Sequence, residues 1–351
     1  MRNVDKQLLF FKEESMMDIP FVGGIKKAKD AKYAMEKINQ RHISNINRLE
    51  NLKKSTYKKM DEIGGRELLT LQNLKEFVDI MELIDNRPDF TSYQKVEIRI
   101  SGYTFEEVKK VSKGAGILLN GMTHGDAGMM GDFAVTGAVA ASLKALEITE
   151  KEFMSGDLKD VSLDLEQLIS LASDANKKAI ISRITTALCG ATIAGSAILG
   201  GPFLGLSLLT GNIFCDIYGN SFSKKADEAK IQMLKEEKEI NEKCEYLEEL
   251  TESAKKFDDS LIVVSASYKR QLEKLKRITE QKKKRNWEEF KEEEKTICRN
   301  ISVLVDILLR LCSIKLIIKD EITECDLVNI YAVEKNVEEA RYFLRVNNLF
   351  I

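Results

Sequence analysis

Histidine is nearly missing from this chain, which carries only His42 and His124 in 351 residues. Nucleophile–histidine machinery and histidine-rich metal sites therefore have almost nothing to draw on. His42 falls inside a long helical pattern and reads as structural or surface-facing. His124, Asp126 and Asp132 supply too few donors, on glycine-loosened spacing, to hold a divalent ion well. No Gly-Lys-Ser or Gly-Lys-Thr occurs, so the phosphate cradle of P-loop enzymes is absent. The glycines from Gly114 to Gly131 do not follow a strand and open no dinucleotide turn. These absences predict no catalytic residue, no cofactor and no metal.

Proline and aromatic residues are also scarce, at 3 residues and 7% respectively, whereas 31% of the chain is charged. That balance suits long solvated helices and argues against a sandwich or barrel built on many turns. The charges nearly cancel, 54 basic against 56 acidic, so no global field draws the protein to nucleic acid. The cysteines Cys189, Cys215, Cys244, Cys298, Cys312 and Cys325 form no Cys-x-x-Cys and read as reduced structural thiols. At the N-terminus a short apolar patch, Leu8 to Phe11, runs directly into Lys12, Glu13 and Glu14 without a small-residue cleavage site. The expectation is a cytoplasmic chain without a cleaved signal peptide, with any membrane contact peripheral or by insertion.

The fold class expected is all-α: an elongated helical bundle with long coiled-coil helices around a central glycine-rich apolar hairpin. Five segments suggest themselves. Residues 1–100 form an N-terminal helical hairpin and connector. Apolar residues recur at three- and four-residue steps from Ile25 to Ile63, Gly64-Gly65 is expected to interrupt the helix, and a second helix runs from Arg66 to Ile84. Phe90 to Ile100 alternates like a strand, but no second convincing strand is there to pair with it. Residues 101–147 are a glycine-rich apolar segment, whose small residues are best explained by close helix packing. Residues 148–178 are an acidic connector, 179–222 the central hairpin, and 223–351 a coiled coil followed by C-terminal helices. Within this last segment Lys282 to Arg285 reads as a solvated helix face that could also touch anionic lipid.

The strongest feature is the central run. From Ile184 to Cys215 there is no charged residue, about 32 positions where a bilayer-crossing helix needs about 20. Gly200-Gly201-Pro202 divides the run into two shorter halves, which suggests a hairpin or broken helix. Ala187, Ala191 and Gly195 fall four apart, as do Gly201 and Gly205, a spacing that lets helix backbones approach closely in lipid. Leu199, Phe203, Leu204, Leu208 and Leu209 complete the candidate insertion element. A core hairpin wrapped by amphipathic helices would also explain the run, and both readings stay open at this level.

Beyond Lys224, Ile240, Leu247, Ala254, Leu261, Tyr268 and Leu275 repeat every seven residues, with Leu250, Phe257 and Val264 at the complementary positions. This heptad seam predicts a coiled coil that could join copies of the chain into a homo-oligomer or bind a protein partner. Long helices carrying an apolar hairpin broken at Gly200-Gly201-Pro202 resemble, in form, the α-helical pore-forming toxins of the cytolysin A class. The resemblance implies a hairpin stored against the bundle and released onto a lipid bilayer, as in a bacterial toxin or defence effector. It carries no functional residue across. The competing expectation is a soluble helical scaffold or regulator that keeps the same hairpin as core.

Overall fold

The computed structural model describes residues 22–88, 103–122, 129–155, 222–320, 322 and 326–350. Seven α-helices dominate them: α1 (Val22–Glu82), α2 (Phe105–Met122), α3 (Met129–Thr136), α4 (Ala138–Ser155), α5 (Phe222–Lys276), α6 (Glu292–Leu311) and α7 (Ile330–Val346). The chain is an all-α bundle with two long helices. It divides into two compact units. Among the described residues the first holds 22–48 and 222–241, and the second holds the rest.

Gly64 and Gly65 do not interrupt the first helix; α1 runs through both without a break. The expected helix end fails because these glycines serve packing. A Cβ on Gly64 would collide with the Met130 carbonyl, and one on Gly65 would come within 2.9 Å of the Met130 sulfur. Their role is to let α3 lie against α1. Tertiary contact outweighs the roughly 1 kcal/mol by which each glycine disfavours a helix interior.

In the second unit α1 and α5 run parallel. Thr56 meets Thr251 and Thr70 meets Ser265, while the Tyr268 hydroxyl donates to the Asn73 carbonyl at 3.0 Å, each across 195 residues of sequence. Lys59 and Arg66 reach Asp258 across 199 and 192 residues. An antiparallel pair would hold the sum of the two residue numbers constant; here it is the difference that stays nearly constant. The strips that follow the helices keep the same sense, since Asp85 and Asn286 form a parallel bridge. Buried Ile63, Leu71, Leu74, Phe77 and Val78 lie on α1, and Leu250, Phe257, Leu261 and Val264 on α5, in one core cluster.

A parallel helix pair obliges the chain to return along its own length, as a parallel strand pair does. Helices α2 and α3 begin that return. Phe105 stacks on Phe77 and Ser112 donates to the Gln72 carbonyl, after which Gly131 reaches Met60 and Asp61. Rising numbers on one side meet falling numbers on the other. Helix α4 then packs on α2, where a Cβ on Gly114 would strike the Ser142 carbonyl. Gly137, between α3 and α4, has φ +89° and lies against the Ser313 carbonyl.

Helix α6 is buried on nearly every side from Ile301 to Leu309, as a central helix must be. After it come two short antiparallel strands, β1 (Ile317–Lys319) and β2 (Asp326–Val328), with Ile318 opposite Leu327. Helix α7 follows, one of the C-terminal helices expected after the coiled coil.

Candidate functional site

The twelve candidate insertion residues, Ala187, Ala191, Gly195, Leu199, Gly200, Gly201, Pro202, Phe203, Leu204, Gly205, Leu208 and Leu209, lie outside the described residues. So do His124 and Asp126 and all of Phe90 to Ile100. Among the described residues no helix is long and apolar enough to cross a membrane, and no group of three or more His, Cys, Asp or Glu side chains could hold a metal ion.

The seam residues are all described. In the second unit Leu247, Leu250, Ala254, Phe257, Leu261 and Val264 are buried to within 1% exposure. Ile240, in the first unit, is likewise buried. Those of the second unit lie on the helix that α1 accompanies, so in this chain they serve the intramolecular core.

Polar groups interrupt that core at defined points. Asp258 is buried and receives Lys59 Nζ and Arg66 Nε, both at 2.7 Å, one on each carboxylate oxygen. Beside it, Glu67 is fully buried and neither of its oxygens has a hydrogen-bond partner. Burial, and then the charge of Asp258, push its carboxyl well above the ordinary range. Spacing alone could have marked Glu67, since it falls between Ile63 and Leu71 on the apolar stripe of α1. In the first unit His42 and Glu236 are buried with Nε2 and Oε2 3.7 Å apart, and no ring nitrogen or carboxylate oxygen of the pair is hydrogen-bonded. His42 is thus a buried residue rather than a surface one.

Asp132, the one described member of the weak metal trio, lies against α1. Asp61 accepts the Gly131 N–H at 2.7 Å. Burial, then the Asp61 charge, raise Asp132 to about 6. Two carboxylates and the nearby Tyr57 phenol, itself raised by burial and then by Asp132 and Asp61, make a tight joint between α1 and α3.

The basic run Lys282 to Arg285 is not a helix face. It follows a π-helical turn (Arg277–Gln281) and forms a loop in which Lys283 has φ +54°. Lys282 and Lys284 donate to opposite oxygens of buried Glu294, at 3.0 and 2.6 Å. Burial alone would raise this carboxyl, but Lys284, the Lys291 backbone N–H and Lys282 outweigh it and hold it at about 2. The run's chemistry is largely spent on tying the end of α5 to the start of α6. Among the described residues Cys244, Cys298 and Cys312 are buried and in no disulfide; burial pushes the Cys298 thiol up to about 12, and the Cys312 thiol well above its ordinary value.

No protein-family model, no curated protein and no solved structure matches this chain. The functional reading therefore rests on the residues themselves.

Proposed function

We propose that the chain is a helical, membrane-active protein of the pore-forming kind, which inserts its uncharged run, Ile184 to Cys215, into a lipid bilayer. The observation that carries this reading is the run itself, without a charge in a chain of which 31% is charged. A core hairpin has no need to exclude charge from all its faces. Bilayer insertion demands that exclusion, at on the order of 3 kcal/mol for each charge near the centre.

The proposed mechanism is an exchange of partners. The seam from Leu247 to Val264 is covered by the chain's own helices, so joining copies through it requires α1 to leave α5. Apolar area stored in the bundle then becomes available to lipid or to a second copy. The reading assigns the chain a lipid bilayer and further copies of itself as partners, and no nucleic acid, cofactor, metal or catalytic centre. Its use as a bacterial toxin or defence effector follows from form alone.

A soluble coiled-coil scaffold is the second reading, and the burial of the whole seam within one chain favours it. Liposome co-flotation with dye release separates the two. The intact protein is compared with Leu199→Asp/Leu204→Asp, checked by circular dichroism for unchanged helicity. Binding and leakage by the intact chain, lost in the folded variant, support insertion. An intact protein that neither floats nor releases dye on anionic or zwitterionic vesicles, from acid to neutral pH, moves the scaffold ahead.

A further inference from the structure

We propose that Glu67 is a proton latch: the second unit closes around it as a neutral carboxylic acid, and opening the bundle at this level releases one proton to water. The inference concerns the soluble fold and stands whether or not the chain meets a membrane.

The geometry leaves Glu67 no means of carrying its charge. Its side chain has no exposure and neither oxygen finds a donor. Arg66 and Lys59 on α1 are committed elsewhere, each spending a 2.7 Å contact on Asp258. From α5, Asp258 faces Glu67 as a like charge. From the residue that caps α6, Cys312 faces it as a thiol, held protonated by its own burial. An ionised carboxylate here would lack both water and a counter-ion, whereas a neutral acid loses far less on burial.

The direction of the coupling follows. The packed-state value lies above the ordinary 4.5 of an exposed glutamate. The stability that the protonated form contributes is complete below that ordinary value and is lost as pH rises through the raised one. Acid holds the bundle shut at this level and base loosens it. A neutral carboxyl between α1 and α5 makes the packed state sensitive to pH without any ligand.

The experiment is urea unfolding of the full-length chain between about pH 6.5 and 8.5, wild type against Glu67→Gln, which keeps the shape and cannot ionise. The wild-type unfolding constant should rise by about tenfold per pH unit for as long as the packed state holds the proton. Glu67→Gln should lack that rise. Superimposable pH dependences in the two proteins would overturn the proposal. Should Glu67→Gln fail to fold, infrared spectra of the folded Asp132→Asn variant at pH 7.5 decide instead. Among the described residues Asp132 is the other carboxyl with a raised value, so a protonated-carboxyl stretch that persists without it and disappears in urea is the one expected of the latch. Absence of that band in the folded variant refutes it.

Discussion

Asp132 shows how one residue can be held against its own chemistry. It is 6% exposed where α3 meets α1, and Asp61 is the charge it feels. Its packed-state value of about 6 exceeds the ordinary 3.8. Stability tied to its protonation is therefore whole below 3.8 and is lost as pH rises through about 6. Asp132→Asn should unfold later than wild type at pH 7.5, by on the order of 1–3 kcal/mol, and match it at pH 3.5, where both states of the wild type bind the proton. Urea midpoints at the two pH values check this, and an Asn variant less stable at pH 7.5 contradicts it. Glu294 has the opposite sign: held at about 2 by Lys284 and Lys282, it contributes stability above the ordinary 4.5 that is lost as pH falls through that lower value. Neither environment is legible in sequence. Gly131, whose N–H Asp61 accepts, is 70 residues from it, and local pattern offered Asp132 only His124 and Asp126 as company. Glu67 was within reach, because a charge on an apolar helical stripe is visible from spacing alone.

Elements were more legible than residues where periodicity persists. The heptads from Ile240 to Leu275 mark a helix that does run from Phe222 to Lys276, and every named seam position is buried. Glycine was harder to read because its two uses oppose each other. It ends helices by freeing the backbone, and it joins helices by removing a side chain. At Gly64-Gly65 the second use prevails, and only the identity of the neighbour, Met130 on α3, decides it. The structure separates glycines that must stay small from those that need not. Gly64→Ala and Gly114→Ala drive a methyl into the carbonyls of Met130 and Ser142, backbone atoms that cannot rotate aside. Each should cost about 1–3 kcal/mol, the range for overpacking a tight contact. Gly116→Ala meets only the end of the Gln72 side chain at 3.5 Å. It should be neutral or raise stability by up to about 1 kcal/mol through helix propensity. Thermal unfolding of the three variants tests the contrast, and an equal loss in all three would mean that the carbonyl contacts do not set the spacing.

At the scale of the molecule, the parallel sense of α1 and α5 is the feature that no periodicity could show. Two amphipathic stripes look alike whether their helices run together or opposed. The near-constant offset between Thr56 and Thr251, Thr70 and Ser265, and Asn73 and Tyr268 resolves it. Its consequence is mechanical. Parting α1 from α5 breaks contacts all along the seam, and the chain between them must allow the movement. If membrane activity depends on that separation, a covalent tie across the pair must block it while leaving the packed form intact. Thr56 and Thr251 are suited to the purpose, with hydroxyl oxygens 2.9 Å apart across the helix interface. Disulfide sulfurs need about 2.05 Å, which small side-chain adjustments can supply. The oxidised Thr56→Cys/Thr251→Cys protein should keep its helicity, resist urea better than its reduced form and release no dye from vesicles, and reductant should restore release. A cross-linked protein that leaks dye as fast as the reduced one would show that insertion proceeds with α1 and α5 together, and the exchange of partners would have to be sought elsewhere in the chain.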